Sequence, residues 1–490
     1  MTQLDPELVD GLIARAARSD FPRFEQQLRS SGYCARPVRL RGRIETCDGN
    51  GQRRVWSTDT EPDGILRKAC GNRREAVCRP CAERYRGDAY QLLAAGMRGG
   101  KGVPDSVVEH PVVFFTLTAP SFGPVHARRL GRDGHLRRCR PRRDAEVCEH
   151  GVPLSCGRVH AEDDPCLGEP LCPDCFDHRG AVVWNNHLGE LWRYTGPIYL
   201  LRALARRAGI TQTRCQQLVK VAYAKVAEYQ KRGLVHLHVI ARLDRAMPDY
   251  RSDEPRPPDK RLTGELLEAA IRDVVADVTV PIGQQLGGGR VGWGTEFDVR
   301  QLDRQQRREI ASYLAKYATK STEQAGGVLH PVTEHQLDQL PVREQVRSYM
   351  RAGFALARED VSSERRFGPN AHTLGYRGHC LTKSRRYSTT FKALREARER
   401  HVHEQLLARS RDATQRALTG AVDRVPSFHL DGIGHLTSAD AFLAESAHAR
   451  ARERRRVARE EGVVSRGARK SIIPAVHRDE GWSTDDGRSW

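Results

Sequence analysis

The spacing of apolar positions predicts both helices and strands in this chain. Apolar residues recur at helix-like intervals in 1–40, in 211–232 and in 303–319, where Asp303 would cap the last of these helices. The runs 112–118 and 234–243 are continuous, and they are rich in β-branched and aromatic side chains, which is typical of buried strands. These elements predict an α+β protein.

The second of these strands carries a pair of histidines. Side chains two residues apart on a strand face the same way, so His236 and His238 point to one side while Val235, Leu237 and Val239 point to the other. Neutral imidazoles held in this way can bind a divalent cation. The alternative is two surface histidines on a half-exposed strand.

A third metal ligand would be a carboxylate. Glu228, Glu296 and Asp298 lie near the histidine strand in the sequence or in a neighbouring predicted strand. We take Glu296 as the tentative choice, although the pattern alone does not rank the three.

The helix predicted over 303–319 carries two tyrosines. Residues four apart on a helix are neighbours, so Tyr313 and Tyr317 can reach one reaction centre. Lys316 comes three residues after Tyr313, and Lys320 comes three residues after Tyr317. A lysine in this position can stabilise negative charge on a phosphate or favour a phenolate. The alternative is that both tyrosines pack in a core with their hydroxyls at its rim.

The charge of the chain indicates a polyanionic partner. The 490 residues include 81 lysines and arginines against 62 acidic residues, a net charge of +19 with a pI near 9.6. Nucleic acid is the commonest such partner. We find no export signal and no apolar run long enough to cross a bilayer, so we expect a cytoplasmic protein without membrane contact.

The cysteines indicate zinc, because 13 cysteines in a cytoplasmic chain are more typical of metal ligands than of disulfides. A Cys-x-x-Cys knuckle with nearby partners predicts a first structural site with four thiolates: Cys47, Cys70, Cys78 and Cys81.

A second knuckle, Cys172 to Cys175, predicts a second structural zinc site. Cys148 and Cys156 would complete it, with His150, His160 and Cys166 as alternates. A redox role for either knuckle is weaker, because no thioredoxin-like context surrounds them. Four cysteines stay without assignment: Cys34, Cys139, Cys215 and Cys380.

A basic stretch at residues 383–388 suggests DNA contacts. It combines charge with one aromatic ring, which suits phosphate binding and base stacking, although a solvated loop is an equal alternative. Its predicted DNA-binding residues are Lys383, Arg385, Arg386 and Tyr387.

Three motifs in this order resemble the HUH endonucleases (His-hydrophobic-His) that initiate rolling-circle replication. Phe115–Thr118 resembles the first motif, a strand beside the site. His236-Leu237-His238 resembles the second, and residues 313–320 (YLAKYATK) resemble the third in its two-tyrosine form. The resemblance implies an HUH-type antiparallel sheet with flanking helices, interrupted by zinc-ribbon-like inserts.

A closer resemblance is to the RepSA-type replication initiators of actinobacterial plasmids and integrative elements, over about residues 45 to 395. The segments that carry it are CGNRREAVCRPC (70–81), FFTLTAPSFGPVH (114–126), CEHGVPLSC with PLCPDC (148–175), KVAEYQKRGLVHLHVIARLD (225–244), YLAKYATK (313–320) and LGYRGHCLTKSRRYS (374–388). The gap between the first and second motifs is longer than a compact nuclease domain needs, and the cysteine-rich insert fills it.

These resemblances imply a chemistry. Mg²⁺ or Mn²⁺ on the histidine pair would polarise a phosphate at origin DNA, one tyrosine would form a 5′-phosphotyrosyl bond, and the second would act in a later transfer. A host polymerase would extend the freed end. A host helicase is expected as a partner, because the chain shows no Walker-type phosphate loop.

The expected domains follow from these patterns. Residues 1–44 are a helical lead-in, 45–100 a first cysteine module, 101–395 the nicking domain with a cysteine-rich insert at 139–178, and 396–490 a charged helical region with a disordered tail. Two rival functions stay open: a conjugative relaxase or HUH transposase, and a non-catalytic zinc-ribbon DNA-binding regulator that would not need the tyrosines.

Overall fold

The computed structural model describes residues 5–47, 53–131, 133–142, 146–246, 254–360, 362, 364–409 and 423–464. The helices are α1 (Pro6–Ala16), α2 (Phe21–Ser30), α3 (Arg79–Arg98), α4 (His178–Arg193), α5 (Leu200–Arg207), α6 (Gln212–Leu218), α7 (Gly264–Asp277), α8 (Gln306–Tyr317), α9 (Glu344–Glu359), α10 (Phe391–Arg409) and α11 (Ser438–Val464). The strands are β1 (Val38–Cys47), β2 (Arg53–Ser57), β3 (Leu66–Lys68), β4 (Val112–Leu117), β5 (Arg129–Leu130), β6 (Leu136–Arg137), β7 (Val219–Tyr229), β8 (Val235–Arg245), β9 (Thr279–Pro281), β10 (Arg290–Gly292), β11 (Asp298–Gln301), β12 (Leu381–Lys383) and β13 (Asp423–Ile433).

The chain divides into two compact units, and the α+β class predicted from the sequence is confirmed. Among the described residues, one unit combines those up to Asp88 with those from Thr390 onward, and the other contains those within Ala89–Thr389. Among the residues described, no helix is both long and apolar enough to span a membrane.

The unit formed by Ala89–Thr389 is built on a five-stranded antiparallel sheet in the order β11-β4-β8-β7-β12. Alternate side chains of its strands face opposite sides. Phe115 on β4 and Leu237 and Val239 on β8 enter a large core that also contains apolar side chains of α4, α5, α7 and α9. The histidines of β8 therefore lie on the other side of the sheet.

The apolar pattern predicted a single helix over 211–232, and this prediction was wrong. The segment forms the short α6 and then the long strand β7, and Gly233 lies in the turn to β8. β7 lies between two neighbouring strands and is buried along most of its length. A strand covered on both faces shows no clean alternation, so its apolar run resembles a buried helix.

Gly233 is needed for this turn. Its φ is +90°, and a Cβ there would lie 2.8 Å from the ring of Tyr349. The Gly233 amide donates to the carbonyl of Gln230, and the Gln230 amide donates to the carbonyl of Leu234, both at 2.9 Å. The tight turn brings β7 and β8 together as a hairpin.

The other unit contains a strand within 396–490, the region that was predicted to be charged and helical. β13 lies between α10 and α11 and pairs with the whole length of β1. Within this unit, the Arg15 side chain donates to Asp440 of α11 at 2.8 Å and to Asp63 at 3.0 Å. The predicted disordered tail falls partly on 465–490, which lie outside the described residues.

Candidate functional site

The two histidines and the two tyrosines come together on one face of the five-stranded sheet. The ring of His238 lies 5.7 Å from the ring of Tyr313 and 5.8 Å from that of Tyr317, measured between centroids. The two tyrosine rings are 4.8 Å apart. His236 and His238 are separated by 6.4 Å on β8. Residues from a strand and a helix about 75 positions later in the chain thus share one site.

His238 is held by groups from both neighbouring strands. Its Nε2 lies 2.5 Å from a carboxylate oxygen of Glu228 on β7, and its Nδ1 lies 3.0 Å from the hydroxyl of Thr116 on β4. The network assigns the proton to Nε2, which donates to the carboxylate, while Nδ1 accepts from the hydroxyl. The ring orientation is set by these two contacts.

His236 presents a nitrogen without a protein partner. Its Nε2 is buried and has no hydrogen-bond partner among the described residues. Burial holds the pKa of His236 well below its usual value, and the positive charge of Arg232 adds to the effect. The imidazole is therefore neutral and offers a lone pair, as a metal ligand requires.

Among the three carboxylates considered from the sequence, Glu228 lies beside the histidines. It pairs with His236 in the β7–β8 register and contacts His238. Glu296, the tentative choice, is exposed in the segment before β11, where its backbone carbonyl accepts from the Thr118 hydroxyl. Asp298 begins β11, and its register places it opposite Thr116, two strands away from the histidines.

The two tyrosines of α8 differ in exposure. Tyr313 is 38% exposed and Tyr317 only 2%. The ammonium groups of Lys316 and Lys320 lie 5.7 and 5.2 Å from the centroid of the Tyr317 ring. Positive charge is thus concentrated beside the less accessible tyrosine.

The start of α8 is anchored by a buried arginine that sequence reasoning missed. The Arg307 guanidinium donates to the backbone carbonyls of Met97 at 2.9 Å, Val108 at 2.8 Å and His110 at 3.0 Å. The predicted cap is also present, because the Asp303 carboxylate accepts from the Gln306 amide at 2.8 Å. Nothing in the local pattern separates Arg307 from its exposed neighbours, so only the tertiary structure identifies it.

The predicted DNA-binding stretch lies at and beyond β12, at one edge of the same sheet. Lys383 is half-buried and donates to the carbonyls of Ser384 and Arg385, while Arg385 is exposed and Arg386 half-buried. Tyr387 is fully buried and its hydroxyl donates to the Leu93 carbonyl at 2.9 Å. The role of Tyr387 in base stacking does not fit this placement, because its ring packs under the guanidinium of Arg242 inside the protein.

The first cysteine cluster is assembled around Cys34, not Cys47. Three of its predicted members are present, and the sulfurs of Cys34 and Cys78 lie 3.6 Å apart, as do those of Cys34 and Cys81. Cys47 is exposed at the far end of β1, roughly 30 Å along the strand from its start. Cluster I is Cys34, Cys70, Cys78 and Cys81.

The cysteine-rich insert contains two clusters where the sequence predicted one. Cys156 does not join Cys148, because an isolated β-bridge pairs it with Arg140 and so brings it beside Cys139. His150, one of the alternates, takes its place. Cluster II is His126, Cys139, Cys156 and His160, and cluster III is Cys148, His150, Cys172 and Cys175.

All three clusters have ligand sets that suit zinc. In each one the ligand atoms lie within 4.8 Å of one another. Four thiolate or imidazole ligands in a closed set are typical of structural zinc. The described residues therefore define an α+β protein with cysteine and histidine clusters that could hold zinc, and with a histidine–tyrosine site on its larger sheet.

Comparison with known proteins identifies the family. Residues 20–449 match the family described as RepSA, replication initiator protein, pSAM2. A replication initiator protein from Streptomyces ambofaciens is 37% identical over 479 residues, which cover 94% of this chain and 96% of that protein. The chain therefore belongs to the RepSA family of replication initiators. No solved structure matches it.

Proposed function

We propose that this replication initiator nicks and rejoins one strand of origin DNA through a tyrosine, and so starts rolling-circle replication of a plasmid or integrative element. The observation that carries the proposal is the approach of Tyr313 and Tyr317 to His238, at 5.7 and 5.8 Å between ring centroids. A nucleophile pair beside a candidate metal site is what an HUH-type reaction needs.

The residues present fit a divalent cation. His236 contributes a buried nitrogen that has no partner among the described residues. The cation would replace the proton between His238 Nε2 and Glu228, so that the second imidazole and the carboxylate both become ligands. Two nitrogen donors and one oxygen donor suit Mn²⁺ better than Mg²⁺, which prefers oxygen. A cation held by these residues would act as a Lewis acid toward the scissile phosphate.

The protein residues have distinct roles in this scheme. The Tyr313 oxygen attacks phosphorus and gives up its proton, while the P–O3′ bond breaks and O3′ takes up a proton in exchange, which leaves a free 3′-hydroxyl and a 5′-phosphotyrosine. We assign the first attack to Tyr313 because it is 38% exposed, whereas Tyr317 is 2% exposed. Tyr317, with the two lysines beside it, would serve the second transfer, in which positive charge stabilises the oxyanion.

The DNA would approach along the basic edge of the sheet. Lys383, Arg385 and Arg386 remain the proposed phosphate contacts, because they follow β12 at that edge. A host polymerase would extend the 3′-hydroxyl and a host helicase would unwind the duplex. We therefore expect the protein to act on DNA in the cytoplasm.

The proposal is tested by a covalent-adduct assay. Full-length protein is mixed with single-stranded fragments that tile its genetic element, Mn²⁺ is added, and the products are separated on a denaturing gel. We expect one fragment to give a metal-dependent adduct. Tyr313→Phe should abolish the adduct, whereas Tyr317→Phe should retain it and lose strand rejoining.

The matched control is Tyr199→Phe, since Tyr199 is 37% exposed, like Tyr313, but lies outside the site. This variant should behave as the wild type. Specific binding without an adduct on any fragment would instead favour a non-catalytic DNA-binding regulator.

A further inference from the structure

We propose that the cysteine-rich insert is a cross-braced module that binds two zinc ions through interleaved ligand pairs. Along the chain the ligands occur as four pairs: His126 with Cys139, Cys148 with His150, Cys156 with His160, and Cys172 with Cys175. The first and third pairs form cluster II, and the second and fourth form cluster III. Neither ion could be bound by a continuous segment that excludes the ligands of the other.

The ligands of cluster II have hydrogen-bond partners that are typical of a zinc site. The Ala127 amide donates to the sulfur of Cys139 at 3.2 Å, which is a typical way to stabilise a metal-bound thiolate. The Asp164 carboxylate lies 2.7 Å from Nδ1 of His160, and Nε2 of the same ring lies 3.5 Å from the sulfur of Cys156. A carboxylate behind a ligating imidazole fixes its tautomer and direction.

His126 supplies an independent indication of a ligand. Its Nδ1 is buried and has no hydrogen-bond partner among the described residues, and its ring lies 5.1 Å from that of His160. A buried, unpartnered nitrogen is costly unless a cation occupies the cluster.

Cluster III includes a tight turn at 148–152. The Cys148 amide donates to the Val152 carbonyl at 3.0 Å, and the Gly151 amide donates to the Cys148 carbonyl at 2.9 Å. Nδ1 of His150 lies 3.2 Å from the sulfur of Cys175 and 3.7 Å from that of Cys172. The ligand set is three sulfurs and one nitrogen, whereas cluster II has two of each.

Backbone pairing explains why the pairs interleave. Cys139 and Arg140 pair with the segment around Cys156, so the loop that contains Cys148 and His150 is closed off between them. At the base of the insert, His126 exchanges backbone hydrogen bonds with Gly168 and Glu169, just before Cys172. Each ion therefore closes a loop that contains ligands of the other, and we infer that the two sites form cooperatively.

The module has a defined attachment to the hairpin that carries the histidines. The half-buried Arg343 guanidinium bridges the carbonyl of Leu167, at 2.7 Å, and the carbonyl of Lys231 in the β7–β8 turn. Arg343 also pairs with Glu169 at 3.1 Å. The zinc-bound insert thus supports the turn next to His236.

The interleaved arrangement is tested with full-length protein, first by metal analysis and then by ¹¹³Cd NMR after cadmium exchange. We expect three zinc ions per chain, one for each cluster. The cadmium protein should give separate resonances for sites with four, three and two sulfurs, because each added thiolate shifts the resonance to higher frequency.

The decisive variant is His160→Cys, which keeps four ligands in every site. In the interleaved arrangement it converts the two-sulfur site into a three-sulfur site, so the two-sulfur resonance disappears. If the ligands instead bound in chain order, His160 would belong with Cys156, Cys172 and Cys175, a four-sulfur site would appear, and the two-sulfur resonance would persist.

Persistence of that resonance, or fewer than three zinc ions per chain, would overturn the proposal. The matched control is Cys166→Ser, since Cys166 lies in the same insert but belongs to neither cluster. That variant should retain all three resonances at unchanged positions. Cooperative assembly further predicts that Cys156→Ser lowers the zinc content by two ions rather than one.

Discussion

At the scale of single residues, the orientation of His238 depends on two partners from different strands. Thr116 contacts one ring nitrogen and Glu228 the other. Both partners lie next to β8 in the sheet, so the ring is fixed by sheet register rather than by its neighbours in the chain. A cation that replaced the proton between Nε2 and Glu228 would meet a ring whose orientation is already fixed.

The proposed role of Glu228 leads to a prediction about metal affinity. Glu228→Gln removes the negative charge while keeping the size of the side chain, so the Mn²⁺ concentration for half-maximal adduct formation should rise about tenfold or more. Mn²⁺ binding can be followed directly by electron paramagnetic resonance. Glu296→Gln is the control, because Glu296 is exposed away from the histidines. Equal metal requirements for the two variants would remove Glu228 from the site.

Lys225 leads to a prediction about pH and stability. It is 9% exposed on β7, its ammonium lies 5.2 Å from the Trp192 ring, and burial lowers its pKa to about 8. In the unfolded chain the pKa of Lys225 is about 10.4. Between about pH 8 and this value, the unfolded chain therefore binds more protons than the folded one. The contribution of Lys225 to stability therefore rises with pH from about 8 to about 10.4.

Lys225→Met should consequently raise the free energy of unfolding at pH 7, by up to about 3 kcal/mol. Its advantage over the wild type should shrink towards pH 10, where the wild-type lysine folds uncharged. Denaturant unfolding at the two pH values measures the difference. Lys220→Met, on the exposed part of the same strand, should show neither effect. A pH-independent advantage of Lys225→Met would contradict the assigned cause.

At the scale of elements, α8 is positioned by its first turn. Arg307 reaches several backbone carbonyls at once because its guanidinium is planar and offers five donors. The carbonyls belong to the end of α3 and to the approach to β4, the strand that also contributes Thr116. The tyrosines and the histidines are thus placed relative to the same strand.

Arg307→Lys should therefore weaken both stability and activity. A single ammonium cannot span these carbonyls, and leaving some of them unpaired should lower the free energy of unfolding by about 2 kcal/mol or more. In Arg307→Lys, the yield of adduct should fall by more than the increase in the unfolded fraction accounts for. The control is Arg308→Lys on the exposed side of the same turn. Identical unfolding curves for the two variants would show that Arg307 does not anchor the helix.

Elements were predicted well where a local pattern was sufficient. The strand expected at 234–243 is β8, Val235–Arg245, and the helix expected at 303–319 is α8, Gln306–Tyr317. β7 was mistaken for a helix and β13 was missed. Their identity as strands depends partly on partners far away in the chain, β12 for β7 and β1 for β13, which a local pattern does not contain.

At the scale of the whole molecule, the net charge of +19 governs how the protein meets DNA. Each neutralised phosphate releases counterions, so the affinity for origin DNA should fall steeply with salt. For six to ten phosphate contacts, the loss between 50 and 200 mM salt is about 10³–10⁵-fold. Fluorescence anisotropy with a labelled origin fragment measures this slope.

Tyr313→Phe should keep the salt slope of the wild type, because the phenol neutralises no phosphate. Replacing Lys383 and Arg385 with glutamine should reduce the slope by the equivalent of about two phosphates. A binding constant that barely changes with salt would mean that the positive charge of the chain is not used for DNA contact.

By itself, the sequence determined which groups are available and how neighbours in the chain are spaced. Period-two spacing put His236 and His238 on one face, and a spacing of four put Tyr313 and Tyr317 on adjacent turns, since backbone geometry dictates both. The tertiary structure alone decided that Glu228 rather than Glu296 meets His238, and that Cys34 rather than Cys47 completes cluster I. These choices depend on strand pairing and chain crossing, which bring together residues whose separation in sequence carries no record of their distance.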